Sequence, residues 1–90
     1  MIFSAQSPRV LIVDDEPVNL KVMREILGEQ YRLSFAKSGT AALTLLEKEL
    51  PKLILLDIMM PHMNGFEVCE HVKRNPKTAH IPIIFVTALG

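Results

Sequence analysis

The fold is decided by LILLDIMMPHMNGFE, residues 53–67. Residues 53–57 form an apolar run that ends in Asp57, as expected for a strand buried on both faces of a parallel sheet. A turn-rich loop follows at residues 61–65. Asn64 and Glu67 then have the spacing of a capping box at the start of a helix. This stretch therefore predicts a buried strand, a loop and a helix in succession.

The rest of the chain alternates in the same way between apolar runs and helical periodicity. The apolar runs predict strands at about residues 9–14, 31–36, 53–57 and 82–86. Helical spacing, bounded by proline and glycine, predicts helices at about residues 17–28, 39–49 and 65–74, the second with an apolar stripe that reaches Leu50. A β-α-β-α-β-α-β order implies right-handed crossovers, and hence an α/β fold with a parallel sheet and helices on both faces. Residues 1–8 are predicted to be an N-terminal extension of a domain that covers residues 9–90.

Polar side chains follow three of the four predicted strands. Asp14 and Asp15 end the first strand, Asp57 ends the third and Thr87 ends the fourth. Each alone is more often a helix cap or a solvated turn, but together they are expected at one edge of the sheet, where α/β proteins bind ligands. Close carboxylates repel one another unless a cation is present, and an oxygen-rich site favours Mg²⁺. An aspartate beside Mg²⁺ is a competent nucleophile for phosphoryl transfer, and Thr87 can supply a hydroxyl.

Composition excludes several other classes of function. Ninety residues allow one small domain, and ten basic residues balance ten acidic ones, which argues against binding to nucleic acid or an anionic membrane through bulk charge. The single cysteine, Cys69, rules out an internal disulfide and fits a cytoplasmic location. No apolar run is long enough to span a bilayer, and residues 1–8 lack the features of a signal peptide. The dispersed residues His62, His71 and His80 are predicted to lie on the surface rather than to bind metal.

The sequence resembles the receiver domains of two-component response regulators. The matching stretches are VLIVDDE at residues 10–16, LILLDIMMPHMNGFE at residues 53–67 and IPIIFVTA at residues 81–88. They cover almost the whole chain after residue 9, and the middle stretch is highly specific. The resemblance implies a flavodoxin-like, doubly wound parallel sheet with strand order 2-1-3-4-5, the order known for this family's fold.

The same resemblance implies a role for each polar residue. Asp57 is similar to the phosphoacceptor, and Asp14 and Asp15 to the acidic pair that binds Mg²⁺ together with Asp57 and the backbone carbonyl of Met59. Thr87 resembles the hydroxyl that reports phosphorylation. The implied phosphoryl donor is a sensor histidine kinase or a histidine phosphotransfer protein in the cytoplasm, and the implied result is the switching of an output domain whose type the sequence does not indicate.

The sequence departs from the family pattern at its end. A lysine at the end of a fifth strand, and the last helix-strand-helix segment, are expected beyond Gly90, so we expect a fragment whose sheet is truncated after the fourth strand. The apolar run at residues 82–86 would then be an unpaired edge, which predicts association into dimers or higher oligomers.

One alternative is a degenerate or truncated receiver that acts only as a protein-interaction module. An aspartyl-phosphate phosphatase fits less well, because such enzymes place Asp-x-Asp after the first strand, where this chain has Asp14, Asp15 and Glu16.

Overall fold

The computed structural model describes residues 7–86, which form one parallel sheet and three helices. In chain order the elements are β1 (Arg9–Val13), α1 (Pro17–Leu27), β2 (Arg32–Ala36), α2 (Gly39–Leu46), β3 (Leu53–Asp57), α3 (Gly65–Arg74) and β4 (Ile83–Val86). The predicted α/β class and the alternation of strands and helices are confirmed. Apart from the end of α2, each predicted end of an element lies within one residue of the observed one.

The sheet has the strand order β2-β1-β3-β4, with every pair parallel. These are the first four positions of the order that the resemblance implied. Val13 at the end of β1 is in register with Ala36 of β2 and with Leu56 of β3, and Asp57 is in register with Val86 of β4. All four strands therefore end at one edge of the sheet, and this edge brings the polar side chains together.

Both faces of the central strands β1 and β3 are buried, which explains their unbroken apolar runs. Leu11 and Val13 of β1 point to the face covered by α2 and α3, where Val68 and Val72 pack against them. Val10 and Ile12 point to the opposite face, which helix α1 covers with Leu20. Because successive side chains of a strand point to opposite faces, a strand between two layers of helices needs apolar residues at every position. The central strands β1 and β3 meet this requirement.

Helix α2 ends at Leu46, and the prediction that it continues to about residue 49 is wrong. The prediction relied on an apolar stripe that reached Leu50, but the Leu50 side chain is 52% exposed. Glu49 follows the turn at residues 47–48, and its carboxylate accepts a hydrogen bond from the Ser34 hydroxyl and forms an ion pair with Arg9 at 3.4 Å. These contacts attach the Glu49 side chain to β1 and β2 at the point where the helix has ended.

Local hydrogen bonds define the starts of α2 and α3. The Ser38 hydroxyl accepts from the Ala41 amide before α2. Before α3, Asn64 accepts from the Glu67 amide at 2.9 Å while the Glu67 carboxylate accepts from the Asn64 amide at 3.1 Å. The predicted capping box is therefore confirmed.

Strand β4 has β3 as its only neighbour within residues 7–86. Its Ile84 side chain is 52% exposed, and the ring of Phe85 lies 5.2 Å from that of Phe66 on α3, centroid to centroid. The predicted apolar edge is therefore observed in this part of the chain, while the predicted association stays a prediction.

The division into an extension, residues 1–8, and a domain also stays a prediction. The backbone oxygens of Ser7 and Pro8 accept hydrogen bonds from Arg32, so the chain is already attached to the sheet at these two residues. No helix within residues 7–86 is both long enough and apolar enough to cross a membrane.

Candidate functional site

The three aspartates of the sequence all lie at the carboxyl edge of the sheet. Asp14 and Asp15 follow β1, and Asp57 is the last residue of the neighbouring strand β3. One carboxylate oxygen from each of the three residues lies within 4.8 Å of the others. The predicted convergence of these residues is therefore present in the structure.

Asp14 is buried, and both of its carboxylate oxygens accept hydrogen bonds. The backbone amide of Glu16 donates to Oδ1 at 2.9 Å, and the side-chain amide of Asn19 donates to Oδ2 at 3.1 Å. Helix α1 begins with Pro17, and its N-cap residue Glu16 makes no side-chain capping bond. The carboxylate of Asp14 therefore ties the end of β1 to the first turn of α1.

Asp57 is 6% exposed, and its carboxylate accepts from the backbone amide of Met59 at 3.3 Å. Burial raises the pKa of Asp57 above its ordinary value, and the charge of Asp14 raises that pKa further. The hydrogen bond from Met59 lowers the pKa, and the charge of Asp15 raises it. The net effect is upward, so burial and the neighbouring carboxylates disfavour the ionised form of Asp57 in the folded protein.

These residues fit a hard divalent cation. Carboxylate oxygens are the donors that Mg²⁺ prefers, and no histidine or cysteine belongs to the cluster found within residues 7–86. Two ion pairs within these residues join Arg9 to Glu49 and Arg74 to Glu70, and neither of these two involves an aspartate of the cluster. A bound cation would favour the ionised form of Asp57, which burial and the charge of Asp14 disfavour.

The loop after Asp57 is held tightly against the end of β3. The Gly65 amide donates to the Ile58 carbonyl at 2.9 Å. A side-chain carbon at Gly65 would overlap the carbonyl oxygen of Asp57 and lie 2.8 Å from the α-carbon of Ile58. Only glycine allows α3 to begin this close to the phosphoacceptor candidate.

Three further predictions concern residues around the cluster. The amide of Met59 contacts Asp57, while the predicted binding of metal by its backbone carbonyl stays a prediction. Thr87 lies outside the described residues, so its predicted position is untested. The three histidines are exposed, as predicted.

Sequence reasoning missed Asn19, which lies in the first turn of α1. The available signal was an amide side chain one helical turn beyond the acidic pair. Asn19 also lines a cavity of about 150 Å³ between α1 and the sheet, together with Asp14, Asp57 and apolar residues such as Met23. The Asn19 amide therefore lies at the edge of the candidate site, where it also donates a hydrogen bond to Asp14.

Comparisons with known proteins agree with this geometry. Residues 10–90 match the family described as response regulator receiver domain. Response regulator PleD of Caulobacter vibrioides is 44% identical over 84 residues, which are 92% of this chain and 18% of PleD. The N-terminal domain of a response regulator receiver protein from Methanoculleus marisnigri JR1 superposes with a TM-score of 0.87 at 40% identity, over 91% of this chain and 68% of that one. The Mn²⁺-bound form of response regulator Rcp1 superposes with a TM-score of 0.80 at 28% identity, over 91% of this chain and 66% of that one.

Proposed function

The chain belongs to the response regulator receiver domain family, and from this membership we propose that Asp57 accepts a phosphoryl group in a two-component phosphorelay. The observation that carries the proposal is the meeting of Asp14, Asp15 and Asp57 within 4.8 Å at the carboxyl edge of the sheet. We propose that these carboxylates and the backbone carbonyl of Met59 bind Mg²⁺. A Mn²⁺-bound form exists for the related response regulator Rcp1, and this supports the proposal that this chain binds a divalent cation.

The chemistry follows from the roles of the three aspartates. A carboxylate oxygen of Asp57 forms a bond to phosphorus as the phosphorus–nitrogen bond of a phosphohistidine breaks, and the histidine nitrogen leaves with the electron pair of that bond. Asp57 becomes an acyl phosphate. Asp14 and Asp15 would hold the cation, which would offset the negative charge of the phosphoryl oxygens. The amide of Met59 orients Asp57 through its hydrogen bond.

The proposed donor is a sensor histidine kinase or a histidine phosphotransfer protein in the cytoplasm. The proposed role is stoichiometric signalling rather than multiple-turnover catalysis, with Thr87 reporting phosphorylation to an output region. The chain spans 18% of the length of PleD, so an output activity is proposed for the longer protein and not for this segment.

The test compares the wild-type protein with Asp57→Asn in the presence of Mg²⁺ and acetyl phosphate. Intact-mass spectrometry should find one phosphoryl group on the wild type and none on the variant. Glu16→Gln is the matched control, because it makes the same acid-to-amide change at an exposed residue beside the site, and it should still be phosphorylated. Equal labelling of wild type and Asp57→Asn would remove Asp57 from its proposed role.

A further inference from the structure

The side chain of Asn19 points back from helix α1 to the acidic cluster. Asn19 is half-buried in the first turn of the helix, and its amide nitrogen donates to Oδ2 of Asp14 at 3.1 Å. Its own backbone amide bonds to the carbonyl of Glu16 within the helix start. The side-chain amide nitrogen is directed at Asp14, one of the candidate metal ligands.

Two hydrogen bonds from different groups define the plane of the Asp14 carboxylate. The terminal torsion of an aspartate is broad, so the rotamer alone does not orient its two oxygens. The Glu16 amide donates to Oδ1 and the Asn19 amide donates to Oδ2. Without the second donor, the carboxylate is held at one oxygen and can turn about its last bond.

The neutral amide suits this position chemically. A lysine or arginine would also donate to Asp14, but its charge would compete with a bound cation. An acid would add a fourth negative charge to the cluster. Asparagine supplies a donor and no charge, so it orients Asp14 without changing the charge that attracts a metal ion.

We propose that Asn19 is a positioning residue that orients Asp14 for binding of the divalent cation, without binding the cation itself. This inference rests on the proposed function, because it assigns Asn19 a part in the same site. Hydrogen-bond partners behind metal ligands typically change metal affinity by about 10-fold to 100-fold when they are removed. Replacement of Asn19 should therefore weaken metal binding, which a purely structural role of this residue would leave unchanged.

The experiment measures binding of Mn²⁺, with Mg²⁺ as competitor, to the unphosphorylated protein. Electron paramagnetic resonance of free Mn²⁺ gives the dissociation constant directly. Asn19→Ala removes the amide, and Asn19→Leu removes it while keeping a similar side-chain volume beside the cavity. Asn75→Ala is the matched control, since it removes an asparagine that accepts from the Lys77 amide after α3, away from the aspartate cluster.

Both Asn19 variants should weaken Mn²⁺ and Mg²⁺ binding by about tenfold, while Asn75→Ala binds like the wild type. Phosphorylation by acetyl phosphate should need more Mg²⁺ in the Asn19 variants and approach the wild-type rate at saturating Mg²⁺. Wild-type affinity in both Asn19 variants would overturn this inference and leave the proposed function intact. A wild-type protein that binds neither ion would overturn the metal site of the proposed function, and the inference with it.

Discussion

Replacing Gly65 by alanine is predicted to damage both the stability of the protein and the position of Asp57. The new methyl carbon would overlap the carbonyl oxygen of Asp57 and lie 2.8 Å from the α-carbon of Ile58. Ordinary carbon–carbon contacts are about 3.5–4.0 Å, so the start of α3 and the end of β3 must separate by about 1 Å. The neighbouring atoms are backbone, so they cannot move aside as a flexible side chain could.

The expected cost has two parts. Overpacking of this kind lowers the free energy of unfolding by about 1–3 kcal/mol. Alanine also reduces the conformational freedom of the unfolded chain, which raises the free energy of unfolding by about 0.4–1 kcal/mol. Urea unfolding should therefore show a net loss of about 1–2 kcal/mol. A displacement of about 1 Å at a reacting group can cost about 100-fold in rate, so phosphorylation by acetyl phosphate should fall by more than the unfolded fraction accounts for.

Gly39→Ala is the matched control, because Gly39 is also the first residue of a helix. Its added carbon would lie 2.8 Å from the Met63 sulfur and 2.8 Å from a methyl carbon of Val68, both of them side-chain atoms. This variant should lose stability but keep the phosphorylation rate of its folded fraction. If Gly65→Ala keeps wild-type stability and rate, the close approach of α3 to Asp57 does not position the acceptor.

Three further predictions concern other parts of the protein. Burial, with repulsion from Asp14 and Asp15, raises the pKa of Asp57 above 3.8, so its ionised form opposes folding. The stability that the neutral form of Asp57 contributes is present below pH 3.8 and is lost as the pH rises through the raised pKa. Asp57→Asn should therefore increase the melting temperature at pH 7 without Mg²⁺. The difference in melting temperature between the variant and the wild type should vanish in acid. His62 has φ +67° at the centre of a three-residue turn closed by a 2.7 Å hydrogen bond, so His62→Gly should raise the free energy of urea unfolding by about 1 kcal/mol and His62→Val should lower it. Ile84→Lys should shift any association through β4 toward monomer in size-exclusion chromatography with light scattering, and an unchanged oligomer would exclude that edge as the interface.

Much of the fold was predictable because it depends on local pattern. The strands β1 and β3 are buried on both faces, and this requirement leaves unbroken apolar runs in the sequence. The capping box of Asn64 and Glu67 was predictable for the same reason, since both partners lie within one helical turn. The end of α2 was not predictable, because Glu49 is held by Arg9 and Ser34 on strands far away along the chain.

The sequence alone determined that Asp14, Asp15 and Asp57 meet at the candidate site. Parallel strands end at a common edge, so aspartates at the ends of two adjacent strands must come close wherever the strands pair in register. Only the tertiary structure decided how these side chains are held. The hydrogen bond from Asn19 to Asp14, the overlap that excludes a side chain at Gly65 and the raised pKa of Asp57 depend on distances of a few ångströms. Those distances result from packing α1 and α3 against the sheet, which no local sequence pattern specifies.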